Sequence, residues 1–308
     1  GATAPGRAGL GAGVRLRDLH PRRFFFDAWR ELDREAVAFR AGATDAELGK
    51  EARKALYLFV VVAVSLTVQE YLGGPRTFYQ ILGFIDDPLA PFDSPNLYAL
   101  VGWLAPEDGG TLYGDLQRGG YMELWNLAYW ATWRVIGFLV IPLLAVAVHP
   151  RLRLGDLGLG FRGFSRHAWV YGVLVVPVLA AVVVVSFTDD FSTYYPFYGN
   201  AHRSLFDFAV WEAFYIAQFF SLELFFRGFM LQPLRRLVGS GAIFAMMVPY
   251  VMIHFGKPMP ECFAAIIAGV VLGTLAMRTR SIWAGFLVHV TVAVSMDLAA
   301  IWQTHWVD

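Results

Sequence analysis

AWVYGVLVVPVLAAVVVVSF, residues 168–187, holds twenty consecutive positions without a charged side chain. As a helix rising ~1.5 Å per residue, such a run is roughly 30 Å long, which matches the hydrocarbon thickness of a bilayer. The same reading extends outward to Ala55–Leu72, Met122–Val148, Leu205–Phe226, Ala242–Phe255, Cys262–Met277 and Ile282–Trp302. Ala242–Phe255 and Cys262–Met277 are short, and Gly256-Lys257-Pro258-Met259-Pro260 between them breaks any helix. Residues 97–104 are apolar but too short to span. The sequence therefore predicts an all-α polytopic membrane protein with about seven transmembrane helices, or eight at most.

Composition agrees. The 308-residue chain is 57% hydrophobic and 16% charged, whereas soluble domains carry about 25% charged residues. Formal net charge is zero, and no nucleic-acid partner is expected. One cysteine, Cys262, lies in an apolar run and reads as a small packing residue. No cleavable signal peptide precedes Ala55, so the first run is expected to stay in the membrane. Residues 1–19 are Gly- and Arg-rich and read as disordered. From Phe24 to Phe39, Phe25, Trp29, Leu32, Ala36 and Phe39 recur at helical spacing. That pattern predicts an amphipathic helix on the membrane surface, or else a short helical cap. Phe78, Ile81, Leu82 and Ile85 predict a second interfacial helix in the long connection after the first span.

Basic residues set the orientation. They crowd the N-terminal segment and recur at Arg151, Arg153, Arg162 and Arg166, at Arg235 and Arg236, and at Arg278 and Arg280. Acids such as Asp86, Asp87, Asp93, Asp108, Asp189 and Asp190 hold the alternate connections. This places the N-terminus in the cytoplasm, in a bacterial inner (plasma) membrane, with lipid as the surrounding partner. Three regions are expected: a cytoplasmic segment with its interfacial helix (1–54), the first spans and a long outer loop (55–149), and a functional core (150–308).

A charge inside a membrane helix costs about 2.5–3.5 kcal/mol or more and usually marks function. Four such residues stand out: Glu223, Arg227, His254 and His289. Counted from the basic edge, Glu223 lies at ~18 Å, His254 at ~21 Å and His289 at ~14 Å. Three groups far apart in sequence thus come to similar depth, which argues for one shared site. Glu223 and Arg227 are four apart and neighbour each other on one helix face. Either Arg227 simply neutralises the acid, or it orients the carboxylate to accept a proton from water. The histidines can polarise a carbonyl or stabilise an oxyanion. Glu212 reads as interfacial, Glu261 as an acid suited to a helix N-terminus, and Asp297 as a poor direct partner for His289. His149, His202 and His305 fall at span ends.

The stretch Glu223-Leu224-Phe225-Phe226-Arg227-Gly228-Phe229 resembles the first motif, Glu-Glu-x-x-x-Arg, of the CPBP (CAAX protease and bacteriocin-processing, Abi) intramembrane proteases. Residues around Tyr250 and His254 are similar to the second, Phe-x-x-x-His, with Tyr250 in the aromatic position. The third region resembles Gly269 to His289, and Leu154-Gly155-Asp156-Leu157-Gly158-Leu159 resembles the linker before the domain. The resemblance covers about residues 150–300. It implies a helical membrane core and an endopeptidase whose first Glu activates water. In that family two histidines, and a polar residue four beyond the second, stabilise the reaction centre. This chain departs at two positions: the first Glu is Leu222, and the residue four after His289 is Ala293.

Two functions follow from these residues. One is an intramembrane endopeptidase acting on a peptide or protein substrate, with Glu223 as base, Arg227 orienting it, and His254 and His289 at the reaction centre. Its metal variant would hold zinc on Glu223, His254 and His289, an open two-His, one-Glu set, although no His-Glu-x-x-His segment is present. The other is a catalytically inactive relative acting as a membrane scaffold or regulator, motivated by Leu222 and Ala293. A transporter would want a clearer polar track, and the first three spans offer little beyond Arg134.

Overall fold

A computed structural model describes residues 19–86 and 112–305. The apolar 97–104 stretch, Asp87, Asp93, Asp108 and residues 1–18 lie outside the described residues. Among those described, the regular structure is helical: α1 (Ala28–Gly42), α2 (Asp45–Leu72), α3 (Pro75–Asp86), α4 (Leu112–Arg118), α5 (Met122–Val148), α6 (Phe161–Val185), α7 (Asp189–Tyr194), α8 (Leu205–Val238), α9 (Gly241–Met252), α10 (Met259–Thr279) and α11 (Trp283–His305).

Six of these, α2, α5, α6, α8, α10 and α11, are long and apolar enough to cross a membrane. The expected span over Ala242–Phe255 is the exception. Its helix α9 has 12 residues, or ~18 Å, well short of the bilayer core. The chain leaves it in a turn at Ile253–Lys257 and passes Gly256 at φ +95°. His254 therefore sits in the turn that ends a short helix, not within a span.

Helix α8 is the centre of the bundle. Of its most apolar window, 72% is buried, against 17–39% for the other five spans. α5 packs along α8, α6 along α11, and α9 along α10, while α11 crosses α8. Leu56, Val184, Phe206 and Ile267 are more than half exposed. They belong to the apolar outer surface that suits lipid contact. The buried core gathers Phe225, Phe226 and Phe229 of α8 with Phe138 of α5 and Ile243 and Met246 of α9.

Both α5 and α8 widen into π-helical turns, at Ile136–Val140 and Leu224–Leu231. The two turns face each other, and Phe138 packs on Phe225 and Phe226 at ring-centroid separations of 4.9 and 5.6 Å. Such π segments are rare and are frequent at functional sites.

The N-terminal helix packs one face on protein. α1, entered through a π turn at Arg22–Asp27, docks on the basic end of the core. Leu32 and Ala36 are buried there. Asp33 accepts the Ser240 backbone N–H, Glu35 pairs with Arg235, and the Trp29 indole donates to Thr274. The stretch with Phe78, Ile81, Leu82 and Ile85 is helical, in α3.

Candidate active site

Glu223 ends the α-helical part of α8 and Arg227 lies inside its π turn. Both are fully buried. One Arg227 Nη is 3.0 Å from Glu223 Oε1, close enough for an ion pair but off the hydrogen-bond axis. Across from them, α11 brings His289 Nδ1 to 3.1 Å from the same oxygen. Neither Glu223 oxygen and no Arg227 nitrogen has an aligned hydrogen bond among the described residues. These are spare donors and acceptors in a buried place, and they need an explanation in function or in bound water.

Glycines make the fit. A Cβ on Gly285, one helical turn before His289, would lie 2.2 Å from Glu223 Oε2, so only glycine leaves room for the carboxylate. A Cβ on Gly228 would lie 2.6 Å from the Leu157 carbonyl oxygen. The linker segment therefore presses its backbone against the π turn beside Arg227. Gly158, at φ +73°, accepts the Ile282 backbone N–H, and the Trp283 indole donates to Leu159. That ties the linker to the start of α11, the helix that carries His289.

Among the described residues His254 makes no direct bond to Glu223; it joins through Tyr250. The Tyr250 hydroxyl lies 2.8 Å from His289 Nε2, and His254 Nδ1 lies 2.8 Å from the Tyr250 carbonyl oxygen. The Arg227 guanidinium stands 4.1 Å from the centre of the Tyr250 ring, a cation–π contact. Sequence reasoning noted Tyr250 only as an aromatic; its hydroxyl at the site needs the packing of α9 on α10 and α11. Gly285, four before His289, was likewise overlooked, although its spacing was the available signal.

Arg227, Glu223 and His289 are thus brought into one cluster, with His254 attached through Tyr250. The zinc set is not. Among the described residues no three His, Cys, Asp or Glu side chains gather to hold a metal. Both ring nitrogens of His289 are already engaged, Nδ1 by Glu223 and the Gly285 carbonyl, Nε2 by Tyr250. The donors present do not fit a zinc site of the two-His, one-Glu kind.

Leu222 and Ala293, the two departures from the family pattern, face elsewhere. Leu222 packs into the main apolar core. Ala293 lies in an aromatic layer with Trp211 and Tyr215. Residues 204–295 match the family model of type II CAAX prenyl endopeptidase Rce1-like proteins. That match spans α8 to α11, which carry every residue of the cluster, and it accords with the CPBP resemblance. No curated protein and no solved structure matches the chain.

Other polar residues end elsewhere. Glu212, expected at the interface, is buried, with Asp297 against it. Asp297 accepts the Trp211 indole and the Phe197 backbone N–H, each at 2.9 Å. Glu261 pairs with Lys257 in the first turn of α10. In the connection before α8, the Tyr198 hydroxyl donates to Asp207, and burial with that bond pushes the phenol above its usual range.

Proposed function

We propose that the chain is an intramembrane endopeptidase of the CAAX-protease-like type, with Glu223 as the base. The observation that carries this reading is the convergence on Glu223 of Arg227 and of His289, a histidine from another helix, inside an apolar bundle. Arg227 and His289 both meet the same oxygen of that carboxylate. The His289 side chain is 15% exposed and Glu223 is sealed, so the proton leaves water at the His289 edge and comes to rest on Glu223. The water oxygen then attacks the scissile carbonyl. Arg227, His254 and His289 supply positive or donor character near the developing oxyanion. The carbon–nitrogen bond breaks, the proton passes from Glu223 to the leaving amine, and the products are a carboxylic acid and an amine. The family supports a peptide or protein substrate in the membrane, and the basic ends of the spans support a cytoplasmic N-terminus.

A second reading, an inactive scaffold, draws on Leu222, Ala293 and the complete burial of Glu223. Purified full-length protein in phospholipid vesicles, given a farnesylated peptide ending in a CAAX sequence and the same peptide without the lipid, separates the two. The endopeptidase reading expects cleavage that Glu223→Gln lowers by about 100-fold or more and that a zinc chelator leaves unchanged. No cleavage of either peptide, or full activity in Glu223→Gln, overturns it.

A further inference from the structure

We propose that Tyr250 is a positioning residue of this site, its hydroxyl holding the His289 ring through a change of protonation and its carbonyl holding the His254 ring. The inference rests on the endopeptidase reading. It begins with the backbone. At the end of α9 the His254 amide bonds the Val251 carbonyl at 2.9 Å, so the Tyr250 carbonyl is left to the His254 ring. A helix end leaves carbonyls in need of partners, and here an imidazole takes one. Because a carbonyl only accepts, His254 carries its proton on Nδ1.

The same logic fixes His289. Its Nδ1 faces two acceptors, the Gly285 carbonyl oxygen and Glu223 Oε1, each at 3.1 Å. Nδ1 therefore carries the proton, and in the neutral ring Nε2 is an acceptor for the Tyr250 O–H at 2.8 Å. When Nε2 gains a proton, a hydroxyl can turn and accept it, because it is both donor and acceptor. The ring then keeps one orientation in both states. Tyr250 is itself held: it is 1% exposed, Arg227 lies over its face, and Phe226 meets it edge-on at 5.3 Å. A phenylalanine at 250 would keep all of that packing and lose the hydroxyl. Ala293, one turn further along α11, offers no polar atom to do the same task.

Tyr250→Phe in the full chain is the test. The expected result is a kcat lower by about tenfold or more, KM within about twofold, and a displaced pH–kcat profile. Nitrogen NMR of protein labelled at histidine should show the His289 Nε2 resonance moved and His254 Nδ1 unmoved. In the wild type itself, coupling between the phenolic proton and His289 Nε2 is expected. If Glu223→Gln abolishes cleavage while Tyr250→Phe changes neither kcat, pH profile nor the His289 resonance, Tyr250 has no such role and the endopeptidase reading stands. If Glu223→Gln cleaves normally, that reading falls, and the NMR arms alone decide the contact. Absence of the wild-type coupling at every pH overturns the proposal without any variant.

Discussion

Replacing Arg227 by methionine should destabilise the bundle by several kcal/mol. Arg227 and Glu223 are both fully buried, and their charges stand 3.0 Å apart. Removing one partner of a buried pair costs about 3–5 kcal/mol, because the other charge is left uncompensated. The guanidinium also lies 4.1 Å from the Tyr250 ring centre, a contact worth about 0.5–2 kcal/mol. At ~2–4 °C per kcal/mol for a large domain, the midpoint of unfolding should fall by roughly 7–28 °C. Circular dichroism of detergent-solubilised protein reads that shift directly. Adding Glu223→Gln to the same chain removes the orphaned charge, and replacing a buried pair by neutral groups is often near neutral. The double variant should therefore recover most of the lost stability, a coupling of the two sites that a double-mutant cycle measures. A single variant melting within about 2 °C of wild type, or a double variant no better than the single, would refute the account of Arg227 as the partner that keeps Glu223 buried.

Gly285→Ala should displace the Glu223 carboxylate, since the new Cβ would fall 2.2 Å from Oε2; a loss of about 1–3 kcal/mol and of peptide cleavage is expected, read by thermal melts and turnover, and wild-type behaviour in both would show the carboxylate has other room. Asp297→Ala should leave the buried Trp211 indole and the half-buried Phe197 amide without their acceptor; the buried indole alone costs about 1–3 kcal/mol, and the tryptophan emission of the folded protein should change with the drop in melting temperature. Glu212→Gln should be tolerated, because an amide opposite Asp297 donates a hydrogen bond that two ionised carboxylates could not share; a destabilised variant would show that Glu212 holds some other partner.

Much of the architecture was legible from hydropathy because lipid imposes length. A helix that crosses must be long and apolar, so α2, α5, α6, α8, α10 and α11 announced themselves. Helix α9 did not, since periodicity cannot tell a half-length helix and its turn from a full span. The N-terminal helix shows the same limit. Its stripe of Trp29, Leu32 and Ala36 marked a face to be buried but not whether lipid or protein would cover it. Glu212 was misplaced for a related reason: depth along a helix says nothing about which side faces a neighbour.

Glu223, Arg227, His254 and His289 could be singled out as candidates from the sequence, because an ionisable group in an apolar run is costly enough to stand out by type. Packing decided the rest. It put His289 on the carboxylate, joined His254 to it through Tyr250 and His289, and turned a tyrosine hydroxyl into the cluster. Such contacts depend on helix rotation and on close approach at Gly285 and Gly228, and only the folded bundle fixes those, since a side chain's angular position relative to another helix has no local cause.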